Sequence, residues 1–215
     1  LYLCSSIKLI LEQNIMNNRK AILFKSVFNR VNPQSICLDT FLREPSKAFE
    51  QLGIKDFVKR SEKIKSIEDK TQRNHEKKNF YPAVDLSPCN VLSVDIDGIS
   101  GDTKLINSLV EKLEAIPECY ACTETASGNL VGYFYYSCTP ELFQHLYYKL
   151  YLELTLSLAV EIDYLPEINR LRYVSLGKTH FIKSEAKPLV KVLQVRKVPR
   201  LSPNENTGQV IWKSE

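Results

Sequence analysis

The chain has 215 residues and is 44% apolar, which suffices for one globular domain with a substantial core. Ten prolines against seven glycines, with no internal period, exclude a low-complexity or repeat protein. The net charge is only +4, but the first 80 residues carry 16 Lys and Arg against 9 Asp and Glu, and the remainder 13 against 16. A basic front and an acidic centre favour a protein that contacts polyanions and holds cations at carboxylates, although a solvated basic helix surface explains the charge equally well.

The six cysteines show no disulfide-framework spacing, so we predict reduced thiols in a cytoplasmic protein. Cys119 and Cys122 form a CxxC, but no further ligand pair with zinc spacing accompanies them, and on a strand their sulfurs would point to opposite faces. Residues 1–15 are apolar but interrupted by charges, and we predict an extension with no role in the chemistry. No run of the sequence is long and apolar enough to span a bilayer, so no membrane partner is predicted.

Residues 16–84 are predicted to form a basic N-terminal α/β region. The pattern predicts a strand at 21–28, a helical segment from Asp39 that breaks near Pro45, and an amphipathic helix at 54–68.

The polar stretch EDKTQRNHEKKN, residues 68–79, is predicted to be a mobile loop. Its adjacent Lys77 and Lys78 are candidates for contact with nucleic-acid phosphates.

Residues 85–198 show the regular alternation of a second region, the predicted catalytic core, which a tail at 199–215 follows. Strands are predicted at 91–97, 119–125, 130–137, near 160–163 and at 170–176, helices at 102–115 (with Asp102 as the N-cap) and 140–158, and one further strand at 188–198. The order βαββαβ predicts an α+β fold with a ferredoxin-like or RRM-like sheet, helices on one face and the other face open for a site.

Two carboxylates stand inside the first strand of this core, in the sequence VLSVDIDGIS. Asp95 and Asp97 are two apart and therefore point to the same face, where they repel each other. Hard oxygen ligands suit Mg²⁺ or Mn²⁺, and a third acid on a neighbouring strand would complete a two-metal cradle. Asp163 is the candidate, with Glu161 as its alternative. A DxD alone can also reflect a carboxylate that caps a turn before glycine.

Basic residues follow the third acid. Arg170 and Arg172 are two apart, so on a strand they project to one side, and arginine suits bidentate contact with phosphate. Lys178 and His180 come shortly after and are added as phosphate-binding candidates. Ordinary surface arginines on a strand are the alternative interpretation. The GKT at 177–179 is not a P-loop, because Arg172 stands where that motif needs glycine.

A tight turn between two strands is predicted at Ser127 and Gly128, in ETASGNLVGYFYY. Backbone N–H groups in such a turn can approach a triphosphate, although a plain hairpin turn explains the same residues.

These segments together resemble the archaeo-eukaryotic primase (primase–polymerase) superfamily, in the branch of VirE N-terminal-like domains found in bacterial mobile elements and phages. The similar segments are VDIDG (94–98), TASGNLVGY (125–133) and EIDYLPEINRLRYVS (161–175), preceded by KKNFYPAV (77–84) and KSVFNRVNPQSICLDTFL (25–42). The resemblance covers roughly residues 20–195.

The resemblance implies a nucleotidyltransferase acting in replication of a mobile element, with nucleoside triphosphates as substrates, single-stranded DNA as template and a separate helicase as partner. Mg²⁺ or Mn²⁺ would be held by Asp95, Asp97 and Asp163, while Arg170 and Arg172 would contact nucleotide phosphates or template. The superfamily's second-motif histidine has no counterpart in SGNLVGY (127–133). Two alternatives stay open: a non-synthesising replication accessory that binds single-stranded nucleic acid through its basic half, and a two-metal phosphodiesterase.

Overall fold

The computed structural model describes residues 19–168 and 170–190, together with two short paired strands, β10 (Ser202–Pro203) and β11 (Val210–Ile211). The predicted extension at 1–15, most of the predicted strand at 188–198 and most of the predicted tail lie outside the described residues.

The chain is an α+β protein with antiparallel sheets, as the sequence predicts. The first half contains β1 (Lys20–Phe24), β2 (Gln34–Cys37), α1 (Leu38–Arg43), α2 (Ser46–Gln51), α3 (Phe57–Lys65), α4 (Lys70–Phe80) and β3 (Ala83–Asp85). The second half contains β4 (Val91–Ile96), α5 (Thr103–Ala115), β5 (Cys119–Glu124), β6 (Leu130–Ser137), α6 (Pro140–Leu158), β7 (Arg172–Tyr173), β8 (Thr179–Ile182) and β9 (Leu189–Val190).

The strands form two main sheets. The N-terminal sheet has the order β2-β1-β3-β7 and is antiparallel throughout. The central sheet has the order β4-β6-β5-β8, also antiparallel, and β9 adds a short parallel pairing at the end of β6.

Helices α5 and α6 cover one face of the central sheet. The Asp102 side chain accepts a hydrogen bond from the Leu105 N–H at 2.9 Å, so it caps the start of α5 as predicted. Apolar residues three and four apart then bury one stripe of each helix against the strands. This core contains Val94, Ile96, Leu109, Leu113, Phe134, Leu150 and Leu154.

The other face of the central sheet is largely covered, which corrects the prediction of an open face. Val91, Tyr133 and Tyr135 are buried against Leu23 and Val84 of the N-terminal sheet, in one continuous apolar cluster. Strand β7 comes late in the chain, yet completes the N-terminal sheet, so the two predicted regions share a core. The face is accessible where β4 ends.

The prediction of a loop at 68–79 is wrong, because residues 70–79 belong to α4. The Asp69 carboxylate accepts a hydrogen bond from the Gln72 N–H at 2.6 Å and caps the helix. Phe80 is the one buried residue of α4, so the sequence lacks the apolar periodicity by which a helix is usually recognised.

Two of the three strands predicted after α6 are also corrected. The segment near 160–163 makes a single antiparallel bridge, Ile96↔Ile162, and the strand at 170–176 shrinks to β7. Because β7 pairs with β3, Arg172 belongs to the N-terminal sheet and not to the sheet that carries Asp95.

The CxxC sulfurs do not point to opposite faces as predicted. A register shift follows Cys119, and both Cys119 and Cys122 lie as free thiols in the helix-side core. Burial raises the pKa of the Cys119 thiol to about 12 and raises that of Cys122 as well, so neither is a reactive thiolate. In the part of the chain that the structure describes, no helix has the length and apolar character needed to cross a membrane.

Gly177 is required by a close backbone approach. A Cβ at this position would lie 1.9 Å from the Glu124 carbonyl oxygen, beside the point where the Glu124 N–H donates to the Lys178 oxygen. We expect Gly177→Ala to lower the free energy of unfolding by about 3 kcal/mol, because backbone and not a flexible side chain must move. Urea denaturation measures this. The exposed neighbour Leu176 is the control, and Leu176→Ala should change stability by at most about 0.5 kcal/mol. Equal stability of the two variants would contradict the contact.

Candidate functional site

Four carboxylates lie on one face where the chain after α6 meets β4. Beside the Ile96↔Ile162 bridge, the Asp163 N–H donates to the Asp95 carbonyl and the Asp97 N–H donates to the Glu161 carbonyl, each at 3.3 Å. This register puts Asp95 opposite Asp163 and Asp97 opposite Glu161, where Cβ atoms are about 5 Å apart. The two isoleucines face the helix-side core, so all four acids share the opposite face.

Asp95 is neutralised by Arg172. The guanidinium donates from Nη1 to Asp95 Oδ2 at 2.8 Å and from Nη2 to Asp95 Oδ1, and Nη1 also reaches the Ser93 hydroxyl at 3.0 Å. The two side chains are only 13% and 18% exposed. Burial opposes the charge of Arg172, but attraction to Asp95 and its hydrogen bonds win, so the pKa of the guanidinium is raised.

Asp97 has a neutral partner instead. The Asn129 side-chain amide donates to Asp97 Oδ1 at 2.6 Å, which fixes the carboxylate but brings no positive charge. Desolvation raises the pKa of Asp97, and the charges of Asp163 and Asp95 raise it further, while the bond from Asn129 acts in the other direction. Arg172 therefore compensates the charge of Asp95, while the repulsion between Asp97 and Asp163 remains.

The donor set suits a hard divalent cation by its chemistry, because all its ligands are carboxylate oxygens. Within residues 19–168 and 170–190, no three His, Cys, Asp or Glu side chains converge closely enough to hold a metal as they stand. The bidentate contact with Arg172 engages both oxygens of Asp95.

Arg170 lies outside β7, in contrast to the prediction that it shares a strand face with Arg172. Its N–H donates to the Glu167 carbonyl at 3.2 Å, as in a turn. The half-buried side chain lines a small cleft with Ser93 and Tyr147. The Tyr147 hydroxyl donates to the Asp163 carbonyl at 3.3 Å, so Arg170 stands at the border of the carboxylate cluster.

The predicted turn at Ser127 and Gly128 exists and is packed against the loop after β4. Gly128 has φ +83°, the region that favours glycine, and its N–H donates to the Thr125 carbonyl at 3.0 Å. The Ser127 hydroxyl lies 2.8 Å from that of Thr125, and the Ser127 carbonyl accepts from Ser100. The turn reaches the cluster through Asn129, while its glycine amide is already bonded.

The remaining predicted basic residues lie elsewhere. His180 Nε2 is 3.0 Å from Glu124 Oε1, and Lys178 is exposed just before β8. Lys77 is half-buried on α4 and its neighbour Lys78 is exposed. The structure thus groups the acids with Arg172 and Arg170, and leaves these four side chains outside the group.

Sequence reasoning missed Asn129 and Ser93 as members of the site. Ser93 is two residues before Asp95 on the same strand face, so alternation could have identified it. Asn129 could not be found this way, because its contact with Asp97 depends on the packing of a hairpin turn against another loop.

A small cleft adjoins the site between the two sheets. The residues that line the cleft include Arg172, Tyr133, Gly177 and Pro45.

The comparisons of this chain with protein-family models, curated proteins and solved structures found no match.

Removal of the Arg172 guanidinium should leave Asp95 as an uncompensated, mostly buried carboxylate. We expect Arg172→Met to lower the free energy of unfolding by about 3 kcal/mol, measured by urea denaturation. The double variant Asp95→Asn/Arg172→Met removes both charges and should recover part of the loss. A double variant no more stable than Arg172→Met would show that lost packing, and not the orphaned charge, causes the effect.

The raised pKa of Asp97 predicts a pH dependence of stability. The folded chain binds a proton at Asp97 more tightly than the unfolded chain does, so the ionised group lowers stability above the raised pKa. This penalty disappears as the pH falls below the ordinary value for aspartate. We therefore expect Asp97→Asn to unfold at a higher temperature than the wild type at about pH 7, and the difference to vanish near about pH 3.

Glu111→Gln is the matched control for that experiment, because it removes an exposed negative charge on α5. Its difference from the wild type should stay small at both pH values. A gain for Glu111→Gln as large as that for Asp97→Asn would assign the effect to net charge.

Proposed function

We propose that this chain is a metal-dependent nucleotidyltransferase domain of the primase–polymerase kind, acting on DNA in replication of a mobile element. The observation that carries the proposal is the register of Asp95, Asp97, Glu161 and Asp163, which puts four carboxylates on one face of two adjacent chain segments. Paired Mg²⁺ or Mn²⁺ bound by such carboxylates would activate the attacking oxygen and stabilise the leaving pyrophosphate of a nucleoside triphosphate.

The chain's own residues have distinct parts in this proposal. Asp97 and Asp163 would be metal ligands: among the described residues neither forms an ion pair with an arginine, and Asn129 orients Asp97. Arg172 is the candidate phosphate ligand, because its guanidinium already stands at Asp95 and suits bidentate contact with phosphate oxygens. Arg170 is the second basic residue at the border of the cluster.

The finer fold assignment supports the same proposal. In a ferredoxin-like βαββαβ unit the fourth strand borders the first, and the third lies between the first and the second. Here β4, β6 and β5 are neighbours in that order, and Ile162 bridges to the free edge of β4. We propose that the central sheet is such a unit, with its fourth strand reduced to one bridge and β8 added at the far edge.

A second candidate function is favoured by the Asp95–Arg172 ion pair. A catalytic carboxylate whose two oxygens are both bonded to arginine is what a non-synthesising replication accessory would retain for stability. Such a protein would bind single-stranded DNA through its basic N-terminal half, and the missing second-motif histidine agrees with it.

Synthesis or extension of a primer on single-stranded DNA, with nucleoside triphosphates and Mg²⁺ or Mn²⁺, tests the proposal. We expect product from the wild type and none from Asp97→Asn or Asp163→Asn, while Glu111→Gln is unaffected. These variants are preferable to Asp95→Ala, which would strand the Arg172 charge. Mg²⁺ should also raise the unfolding temperature of the wild type but not that of Asp97→Asn, a readout independent of turnover.

The possible outcomes separate the two candidates. A folded wild type that makes no product, yet binds single-stranded DNA in a salt-dependent way, supports the accessory and overturns the enzyme. Product that survives in Asp97→Asn would overturn the assignment of the site. Cleavage of DNA without added nucleotide would instead indicate the phosphodiesterase.

A further inference from the structure

We infer that Phe28 and His75 form a base-stacking platform for single-stranded nucleic acid, flanked by the cations of α3 and α4. The inference deepens the proposed function, on which it rests for the biological role of the strand, and it names a contact surface other than the carboxylate cluster. Two independent features carry it: a group of eight cations that outnumbers the two acids on the same helices, Glu62 and Glu76, and an exposed aromatic ring held beside them.

The cations lie on two helices that pack together. The Ser61 and Tyr81 hydroxyls are 2.6 Å apart, and they join α3 to the end of α4. The two helices carry eight basic residues: Lys59, Arg60, Lys63, Lys65, Lys70, Arg73, Lys77 and Lys78. Among the described residues, the ion pairs of the chain all involve other positions.

Lys77 lies close to other cations of this group. Burial lowers the pKa of Lys77, and the nearby charges of Arg73 and Lys65 lower it further. Three cations from two helices therefore share one neighbourhood, and none of them takes part in an ion pair of the described residues. A polyanion supplies that missing charge, and release of its counterions adds to the binding.

The aromatic ring belongs to the loop between β1 and β2. Phe28 is 57% exposed, and its ring centroid is 5.7 Å from that of His75 on α4. Its N–H donates to the Lys78 carbonyl at 3.4 Å. Buried Ser26 accepts a hydrogen bond from the Asn29 N–H at 2.9 Å and braces the loop from the other side. The ring is thus presented to solvent by a structured loop, next to the cations.

The chemistry around the ring favours a nucleic-acid strand over a lipid surface. Every base offers a π face to an aromatic ring, and stacking on such rings combined with basic side chains is how single strands are bound without sequence preference. Exposed Asn29 and Arg30 beside Phe28 provide hydrogen bonds for phosphates and base edges. Val31 is the other large exposed apolar side chain of the loop, and two separated apolar residues form a poor membrane anchor.

The end of α4 also leads toward the carboxylates. The Tyr81 ring contacts the Tyr173 ring at 5.7 Å, and Tyr173 directly follows Arg172 in β7. This contact joins the end of α4 to β7, the strand that carries Arg172.

Fluorescence anisotropy with a labelled oligo(dT), at low salt and with EDTA present, tests the platform without turnover. We expect Phe28→Ala to weaken binding by about tenfold and Phe28→Tyr to bind as the wild type does. Val31→Ala is the matched control, because it shortens another exposed apolar side chain of the same loop, and its affinity should stay within about twofold of the wild type. Lys78→Gln should lower the slope of log affinity against log salt by about one.

Phe28→Trp provides a direct readout, because the natural chain has a single tryptophan. Its fluorescence should be quenched by oligo(dT) beyond any change in the wild type. Because Phe28 and Val31 are exposed, we expect these variants to fold as the wild type does. Equal unfolding temperatures would show that a loss of binding does not come from misfolding. Wild-type affinity in Phe28→Ala, an equal loss in Val31→Ala, or duplex DNA binding as tightly as oligo(dT) would each overturn the platform. Binding to phosphatidylserine vesicles with no affinity for oligo(dT) would assign the surface to lipid and overturn it too.

The failure of this inference is distinguishable from that of the proposed function. If no primer is synthesised but Phe28→Ala still weakens oligo(dT) binding, only the proposed enzymatic function is overturned. If primer is synthesised and Phe28→Ala binds oligo(dT) as the wild type does, only the stacking platform is overturned.

Discussion

The ion pair between Asp95 and Arg172 is the contact on which both sheets depend. Asp95 lies on the border strand of the central sheet, and Arg172 on the border strand of the N-terminal sheet. Neither charge could be desolvated alone at acceptable cost, whereas two parallel hydrogen bonds compensate both. The pair therefore joins the two sheets beside their shared apolar cluster, and it also neutralises Asp95, the first carboxylate of the DxD motif.

The same ion pair therefore affects both the stability of the fold and the charge of the candidate site. At Asp95 the chain neutralises a carboxylate with arginine, and at Asp97 it supplies only an amide from Asn129. Repulsion between Asp97 and Asp163 is thus retained in the folded protein, where a cation could relieve it. Sites that keep such unfavourable charge arrangements are frequently functional, since a purely structural surface would gain by losing them.

The sequence predicts the regular elements well where the pattern is strong. The strand at 130–137 and the helix at 140–158 agree residue for residue with β6 and α6, because apolar periodicity is clear there. Prediction from the sequence pattern fails at α4, because this helix is stabilised by its Asp69 cap and by packing of Phe80. The sheet to which Arg172 belongs was not predictable either, because a two-residue strand has no period and its pairing with β3 is non-local.

The long separation between the members of the ion pair has a consequence for biosynthesis. Arg172 follows Asp95 by 77 positions, and β7 follows its neighbour β3 at a similar distance. While the ribosome makes the chain, β3 emerges with one edge unpaired and Asp95 emerges without a counterion. Both defects persist until Arg172 and Tyr173 have left the exit tunnel, so shorter nascent chains carry an open strand edge that invites aggregation or chaperone capture.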